Sequence, residues 1–514
     1  MAAATSNSRM VGGVAAAAVA LGVAQLVGIP FGGQADARTA VGAAVVDLTP
    51  APISELIIAT LGSLDKLFLA LVVLVVIATI AALAGTLETR RRPIGSVVIV
   101  AAGILGCAAV LSRAGAAATD VVPTVVGTAC GVLVLRVLVH RLWPGRAEDE
   151  ARQDNPDAVK RRSLVLFGLL GFGVVSGIAG TVLTRLLHSA DADRDTFTLA
   201  GPRSKAPPIP PDVQPNDVAL PNFVTASNDF YRVDTALIVP QLSHRDWRLR
   251  VHGMVDREAT YSFDDLAGFE LIERVVTLTC VSNPVGGELI SNGVWTGYRL
   301  ADLLAAAGVH ADADMMLSTS SDGFTAGTPV QALTDGRDAL LAVGLNGEPL
   351  PTAHGYPARL IVPGLYGYVS ATKWVVDLEL TRFDRARAYW TRRGWAERAP
   401  IKTQSRVDVP RAGQDVPAGP VVFGGVAWAQ NRGVRAVEVR IDDGVWQPAE
   451  LGASYSNETW RLWSLPWQAK SPGAHTITVR ATDNDGVTQT SDQVGTVPDG
   501  ATGWHSVDFN VVPG

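Results

Sequence analysis

Along its first 190 residues the chain is patterned as long uncharged runs separated by short charged loops. Met10 to Ala35, Leu67 to Leu87, Pro93 to Ser112 and Ser163 to Thr184 each exceed the roughly 18 apolar residues needed to cross a bilayer. A further crossing, Ala114 to Leu135, is interrupted by Asp120, and Arg136 at its end can snorkel to the interface. The expectation is a helical bundle of about five membrane spans over residues 1–190. Arg90, Arg91 and Arg92 follow the second span, while Arg141, Arg146, Arg152, Lys160, Arg161 and Arg162 precede the fifth. Positive loops stay inside, so everything after about Leu187 should face outward. The first span can also be read as a cleaved signal peptide, since Ala35, Asp36 and Ala37 form an A-x-A site; both readings give the same final topology. KRRSLVLFGLLG at the last span reads either as the positive-inside rule alone or as an internal twin-arginine export signal, the route for a domain that folds before crossing.

Beyond the spans the period changes. Residues 191–221 end in GPRSKAPPIPPDVQPNDVALP, whose seven prolines read as an extended, semi-rigid spacer. Between residues 222 and 398, strand and helix patterns mix. DWRLRVHGMV alternates Trp247, Leu249 and Val251 against Arg248, Arg250 and His252, the pattern of a half-buried strand, and YRLADLLAAAG reads as a short helix closed by glycine. This is an α+β pattern. From 399 to 514, VEVRIDDGVWQPAEL, RLWSLPW and HTITVRATDNDG are short alternating strands with turn signals, which suggests an immunoglobulin-like β-sandwich without the antibody cysteine pair.

Composition agrees with a membrane part and a soluble part: 48% of residues are hydrophobic. The net charge of −6 and the lack of a large basic cluster argue against a nucleic-acid partner. Of three cysteines, Cys107 and Cys130 fall inside apolar runs, where they read as small buried residues; only Cys280 lies in a polar context, TLTCVSN. Three readings of that thiol compete: a buried structural residue, a nucleophile served by His252, His310 or His354, and a soft metal ligand whose partners come from a cofactor. Zinc is disfavoured, because no C-x-x-C, H-x-x-x-H or H-E-x-x-H occurs.

TLTCVSN followed by WTGYRLADLL, then LNGEPLPTAHGYPARLIVPGLYGYVSATKW, resembles the molybdenum-cofactor domain of the sulfite oxidase family, from about Pro221 to Arg398. The β-rich tail is similar to that family's immunoglobulin-like dimerisation domain, which implies a possible homodimer. The resemblance implies a molybdenum–molybdopterin cofactor with Cys280 as metal ligand and Arg232 in catalysis. SNDFYRVD implies Asn228, Tyr231 and Arg232 near the pterin or metal; HGYPARLIVPG implies His354 and Arg359 on the cofactor; YVSATKW implies Ser370, Thr372 and Lys373 as anchors. A pterin phosphate needs Arg or Lys with nearby donors, which agrees in kind. Read alone, His354 also suits a turn cap, Arg359 a strand-edge charge and Trp295 core packing.

Two departures bear on substrate. The family's sulfite-oxidising members carry an arginine shortly after the cysteine and a tyrosine before the later NG; here Val285 and Val343 stand near those places. His140 and His188 flank the spans at opposite faces, so no heme is expected in the helices, and electrons would leave through a separate carrier or quinone system. The resulting expectation is a membrane-anchored oxidoreductase transferring an oxygen atom to or from a small sulfur oxyanion or S-oxide. The rival is a non-catalytic envelope protein that keeps the fold for binding.

Overall fold

The computed structural model describes residues 2–49, 53, 60, 65–113, 116–143, 156–234, 236 and 238–513. Arg146 and Arg152, expected in a positive loop, lie outside the described residues. The chain divides into two compact units, one of Met1–Ala190, Thr235–Gln241 and Ser321–Gly323, the other of Asp191–Asp234, Leu242–Ser320 and Phe324–Gly514.

The first unit is helical: α1 (Ala2–Gly28), α2 (Ala37–Leu48), α3 (Asp65–Leu87), α4 (Ile94–Leu111), α5 (Val122–Leu142) and α6 (Pro156–Leu187). Five stretches among the described residues are long and apolar enough to cross a membrane: Asn7–Phe31, Leu67–Leu87, Ile94–Leu111, Ala118–Leu142 and Lys160–Thr196. Helices of such uniform composition gain little from apolar burial against one another and associate through close backbone approach at small residues. A Cβ on Gly13 would strike the Ala81 carbonyl of α3, and one on Gly22 the Gly173 carbonyl of α6. The same approaches pair Gly85 with Arg9 and Gly180 with Gln25, so α3 runs antiparallel and α6 parallel to α1. Gly127 meets the Ala20 carbonyl and Gly131 that of Ala16, so α5 is antiparallel to α1 as well, and His140, in the last turn of α5, and His188, just past α6, fall at opposite ends.

Two features differ from the sequence reading. The fourth apolar helix begins at Val122 rather than near residue 114, because Pro123 suits a helical first turn and Asp120 is held in a preceding 3₁₀ turn by accepting the Ala117 N–H at 2.8 Å. Arg136 therefore sits within the helix, paired with Glu88 at 3.0 Å. The α2 helix was not anticipated; Asp36 caps it by accepting the Arg38 N–H at 3.0 Å.

The second unit holds a short helix α7 (Ala190–Thr196, all but its first residue) and ten strands in two sheets: β1 (Arg248–Gly253), β2 (Ala259–Ser262), β3 (Leu271–Thr279), β4 (Ile290–Arg299), β5 (Met315–Ser320), β6 (Thr325–Pro329), β7 (Leu340–Leu345), β8 (Glu348–Pro349), β9 (Arg359–Ile361) and β10 (Val375–Thr381). Their orders are β2-β1-β10-β5-β6 and β3-β4-β7-β8, with β9 on β7. The helix α8 (Leu300–Ala307) closes at Gly308 in the left-handed conformation, as its sequence predicts. Two more short helices follow, α9 (Val330–Thr334) and α10 (Gly367–Ser370).

Nine further strands form two facing sheets: β11 (Gln404–Val409), β12 (Asp415–Pro417), β13 (Gly419–Trp428), β14 (Val434–Ile441), β15 (Gln447–Pro448), β16 (Glu450–Leu451), β17 (Arg461–Ala469), β18 (Gly473–Asp483) and β19 (His505–Val512). The orders β11-β13-β17-β16 and β12-β19-β18-β14-β15 enclose Phe423, Trp463, Ile477, Val479 and Phe509. Val426, Trp428, Trp460 and Leu462, however, belong to the same apolar core as Leu249, Val275 and Leu360. The C-terminal sheets share a core with the α+β part and so brace it.

The proline-rich stretch, read as a spacer, is laid along the second unit. The Arg203 amide donates to the Leu271 carbonyl at 2.8 Å, Glu273 donates to the Ser204 carbonyl at 2.8 Å, and Val213 is buried in the core. Chain rich in proline still has carbonyls to offer, and the edge of β3 uses them.

Candidate functional site

Strand β3 is buried from Val275 through Thr279, and the chain then turns at Cys280. The Asn283 amide donates to the Cys280 carbonyl at 3.1 Å, Cys280 donates to the Leu289 carbonyl at 3.0 Å, and the Asn283 side chain accepts from the Leu289 amide at 2.9 Å. This loop holds the thiol at a fixed exit of the sheet. Burial pushes the thiol up from its usual range, while the Ser282 amide and hydroxyl pull it back. A protonated thiol ionises readily only beside a cation, which is the environment a metal ion supplies.

The C-terminal sheets fix the strand that ends at Cys280. Gln430 donates to the Thr277 carbonyl at 3.3 Å and to the Thr279 hydroxyl at 3.1 Å. The Thr277 hydroxyl accepts from the Trp460 amide at 2.8 Å, and Arg406 donates to the Gly287 carbonyl at 2.8 Å. A side chain at Gly286, whose φ is +75°, would run into the His505 ring.

Facing the thiol is the segment around Tyr231, whose amide donates to the Ser291 hydroxyl at 3.0 Å. The Tyr231 phenol is buried and pushed up, first by burial and next by Cys280, with Arg359 acting in the opposite direction. A Cβ on Gly367, the first residue of α10, would lie 3.8 Å from the Tyr231 hydroxyl and 3.9 Å from the Thr279 carbonyl. Phe230 packs edge-on against Trp295 and His354, with centroids 5.4 and 5.8 Å apart. Trp295 is fully buried and donates to the Val276 carbonyl at 3.2 Å, so its core role stands. The Arg359 guanidinium lies 5.3 Å from its ring centroid.

Arg359 is 6% exposed. It donates to the His354 carbonyl at 3.0 Å and the Ala371 carbonyl at 3.2 Å, yet its Nε is buried without a partner among the described residues. Burial lowers it to about 10. His354 is lowered to about 4 by burial and then by Arg359 and Arg232, so it is neutral near pH 7. Asp234 binds both Arg232 and Lys373, and Lys373 also donates to the Ala353 carbonyl at 3.3 Å.

Cys280, Tyr231, Arg359, His354, Arg232 and Lys373 are thus linked by contact or by mutual electrostatic influence. Ser370 and Thr372 are buried, but their hydroxyls bond within the protein, Ser370 to the Leu365 and Tyr366 carbonyls at 3.1 and 3.0 Å, Thr372 to Ser318 at 2.8 Å. Asn228 is exposed in a turn. His252 pairs with Asp377 and His310 with Asp256, and neither is among the groups acting on the thiol. Asp234, Ser282 and Gln430 were missed, as was Tyr366, a buried phenol raised mainly by burial and also by Cys280. Asp234 lies two residues after Arg232 and Ser282 two after Cys280, a spacing that could have drawn notice, but nothing local marks Gln430.

Among the described residues no three His, Cys, Asp or Glu side chains converge on one point, so a metal at Cys280 would take its other ligands from a bound group. The unpartnered Arg359 Nε and the raised thiol fit an anionic, metal-bearing group: Arg359, His354 and Lys373 would hold it, and Cys280 would ligate the metal.

The family described as "Oxidoreductase molybdopterin binding domain" matches residues 236–390. Human mitochondrial sulfite oxidase is 30% identical over 298 residues, 49% of this chain and 54% of that protein. The uncharacterized oxidoreductase YuiH of Bacillus subtilis (strain 168) is 34% identical over 149 residues, 29% of this chain and 72% of that protein. The chain spans between 54% and 64% of the length of the mammalian sulfite oxidases it matches. The sulfane dehydrogenase SoxCD from Paracoccus pantotrophus is similar in structure with a TM-score of 0.46 and 24% identity, covering 52% of this chain and 75% of that one.

Proposed function

Because the chain belongs to the sulfite oxidase family of molybdopterin-binding oxidoreductases, we propose that it is a membrane-anchored enzyme moving an oxygen atom to or from a small sulfur oxyanion or S-oxide. When bound, the molybdenum–pterin group supplies two-electron oxygen-atom transfer. The observation that carries this reading is Arg359, a buried cation with an unpartnered Nε whose electrostatic influence reaches Tyr231, the phenol that faces Cys280. In this role Cys280 ligates the metal, Arg359 and Lys373 neutralise the cofactor's anionic groups, and neutral His354 donates or accepts a hydrogen bond without adding charge. Tyr231 and Arg232 orient the substrate. Asn228 adds a polar group to the cofactor's surroundings, and Ser370 and Thr372, whose hydroxyls bond inside the protein, brace the segment that carries Lys373.

Residues 222–398 form the cofactor domain and 399–514 an immunoglobulin-like domain that also offers a homodimer surface. Five spans anchor the chain. Arg9, Arg90 and Arg91 line one end of the bundle, which supports a cytoplasmic placement of that end and an extracytoplasmic catalytic domain. Electrons leave through a separate carrier or quinone system. Val285 and Val343 stand where sulfite-oxidising members carry Arg and Tyr, and Asp234 offsets part of the charge of Arg232 and Lys373; both favour an S-oxide over a dianion.

Purified wild type should contain molybdenum and pterin, and Cys280→Ser should keep the fold while losing turnover. Metal-free, pterin-free wild-type protein from a cofactor-competent host would remove the enzyme reading. Steady-state turnover of a methionine sulfoxide against sulfite distinguishes the substrate classes.

A further inference from the structure

At the arginine-rich end of the helical bundle, the chain makes a tight turn after α3, with the Thr89 amide donating to the Arg92 carbonyl at 3.0 Å. That turn presents Arg90 and Arg91 to a cavity of about 290 Å³ that Arg9, Glu88, Val139 and Trp143 also line. Glu88, its one carboxylate among the described residues, is fully buried and already saturated: it accepts from the Ser96 amide and hydroxyl at 2.8 Å each and pairs with Arg136 at 3.0 Å. Arg90 is partly used, donating to the His140 carbonyl at 2.7 Å. The Arg9 Nε is buried with no partner among the described residues. Among the described residues the cavity therefore carries net positive charge that its own carboxylate does not offset, a costly arrangement at a membrane boundary unless an anion visits.

A second cavity of about 620 Å³ opens between α4 and α5, lined by Gly103, Ile104 and Cys107 on one side and Val125, Ala129 and Leu133 on the other, with Arg136 at its end. Val125, Ala129, Val132, Arg136, Val139 and Trp143 are spaced by four and three residues, so one stripe of α5, continued by Trp143 just past its end, lines both cavities. From Val125 to Arg136 that stripe rises roughly 16 Å, about half of the ~30 Å hydrocarbon core. An acyl chain of one leaflet has that reach, and its headgroup would arrive at the arginines.

We propose that this groove and cavity together form a binding site for an anionic phospholipid, with the acyl chain along α4 and α5 and the phosphate held by Arg9, Arg91 and the free donors of Arg136. The occupant is a lipid rather than a soluble anion because the apolar groove ends at Arg136, which pairs with Glu88 of the cationic cavity, and it is anionic because the one carboxylate lining that cavity among the described residues is spent. The site rests on the reading that the bundle spans a membrane.

The test uses the full chain in a zwitterionic detergent, with lipid retention read by native mass spectrometry against phosphatidylglycerol and phosphatidylcholine. Wild type should retain phosphatidylglycerol at least about tenfold over phosphatidylcholine, a difference of about 1.4 kcal/mol. Arg9→Gln with Arg91→Gln should bring the two lipids close to parity. Ala129→Phe, at a lipid-exposed position, should reduce retention of phosphatidylglycerol by filling the groove. Gel filtration of each variant checks that it is folded. Equal retention of both lipids by wild type, or undiminished retention in either variant, overturns the site. Displacement of the retained phosphatidylglycerol by inorganic phosphate also overturns it, in favour of a soluble-anion site. Alkaline carbonate extraction of membranes tests the underlying reading separately: release of the chain would sink the spanning bundle itself.

Discussion

Replacing Arg359 with methionine separates a cation waiting for a cofactor from a cation that merely braces the fold. In the protein alone the guanidinium bonds two carbonyls, and its Nε has no partner. Hydrogen bonds to a charged group contribute roughly 1.5–3 kcal/mol each, so their loss costs roughly 3–6 kcal/mol. Against this stands the cost of burial. Lowering the group from its ordinary value to about 10 corresponds, at 1.36 kcal/mol for each pKa unit, to about 3 kcal/mol that the methionine variant recovers. The empty protein should therefore lose no more than about 3 kcal/mol. With an anionic cofactor in place, the variant also forfeits a buried charge pair of roughly 3–5 kcal/mol, two to nearly four decades in affinity. Melting temperatures of wild type and Arg359→Met, each from cofactor-competent and cofactor-deficient hosts, read this directly. The wild-type gap between loaded and empty protein should collapse in the variant, with pterin content falling in parallel. A variant that keeps wild-type pterin and molybdenum refutes the assignment, and a loss above about 5 kcal/mol in the empty protein makes Arg359 a structural residue.

Three other outcomes are expected. Gln430→Ala removes two bonds to the strand ending at Cys280 and should cost roughly 1–3 kcal/mol in urea titration while lowering kcat more than it raises KM; an unchanged kcat would separate the C-terminal sheets from the site. His354 is lowered from 6.5 to about 4, so the unfolded chain binds more protons in that interval and stability falls as pH drops from 6.5 toward 4, by about 3 kcal/mol; His354→Gln should flatten that part of the profile, and an identical slope would contradict it. Arg161→Lys with Arg162→Lys should leave the catalytic domain protected from external protease in intact cells if export follows the twin-arginine route, and unchanged protease access would favour the positive-inside rule alone.

The sequence by itself determined what depends on local pattern. Apolar runs of sufficient length mark the helices of the first unit, alternation marks β1, and a terminal glycine marks the end of α8. It also singled out Cys280, since a lone thiol in a polar context asks for a chemical reason, and motifs around it pointed to Tyr231, His354 and Arg359. Helix register escaped it: only packing decided that Arg136 lies inside α5 against Glu88, because an ion pair removes the cost that hydropathy assigns to a charge. The role of the proline-rich stretch escaped it too, since an extended segment looks the same whether it spans solvent or lies on a sheet edge. Above all, tertiary structure decided how the site is held. Gln430 stands 150 residues after Cys280, and Asp234 stands far from Lys373 in sequence, so no local signal joins them. Local physics writes the elements into the chain, but a buried charge or thiol acquires its chemistry from neighbours that only folding brings within reach.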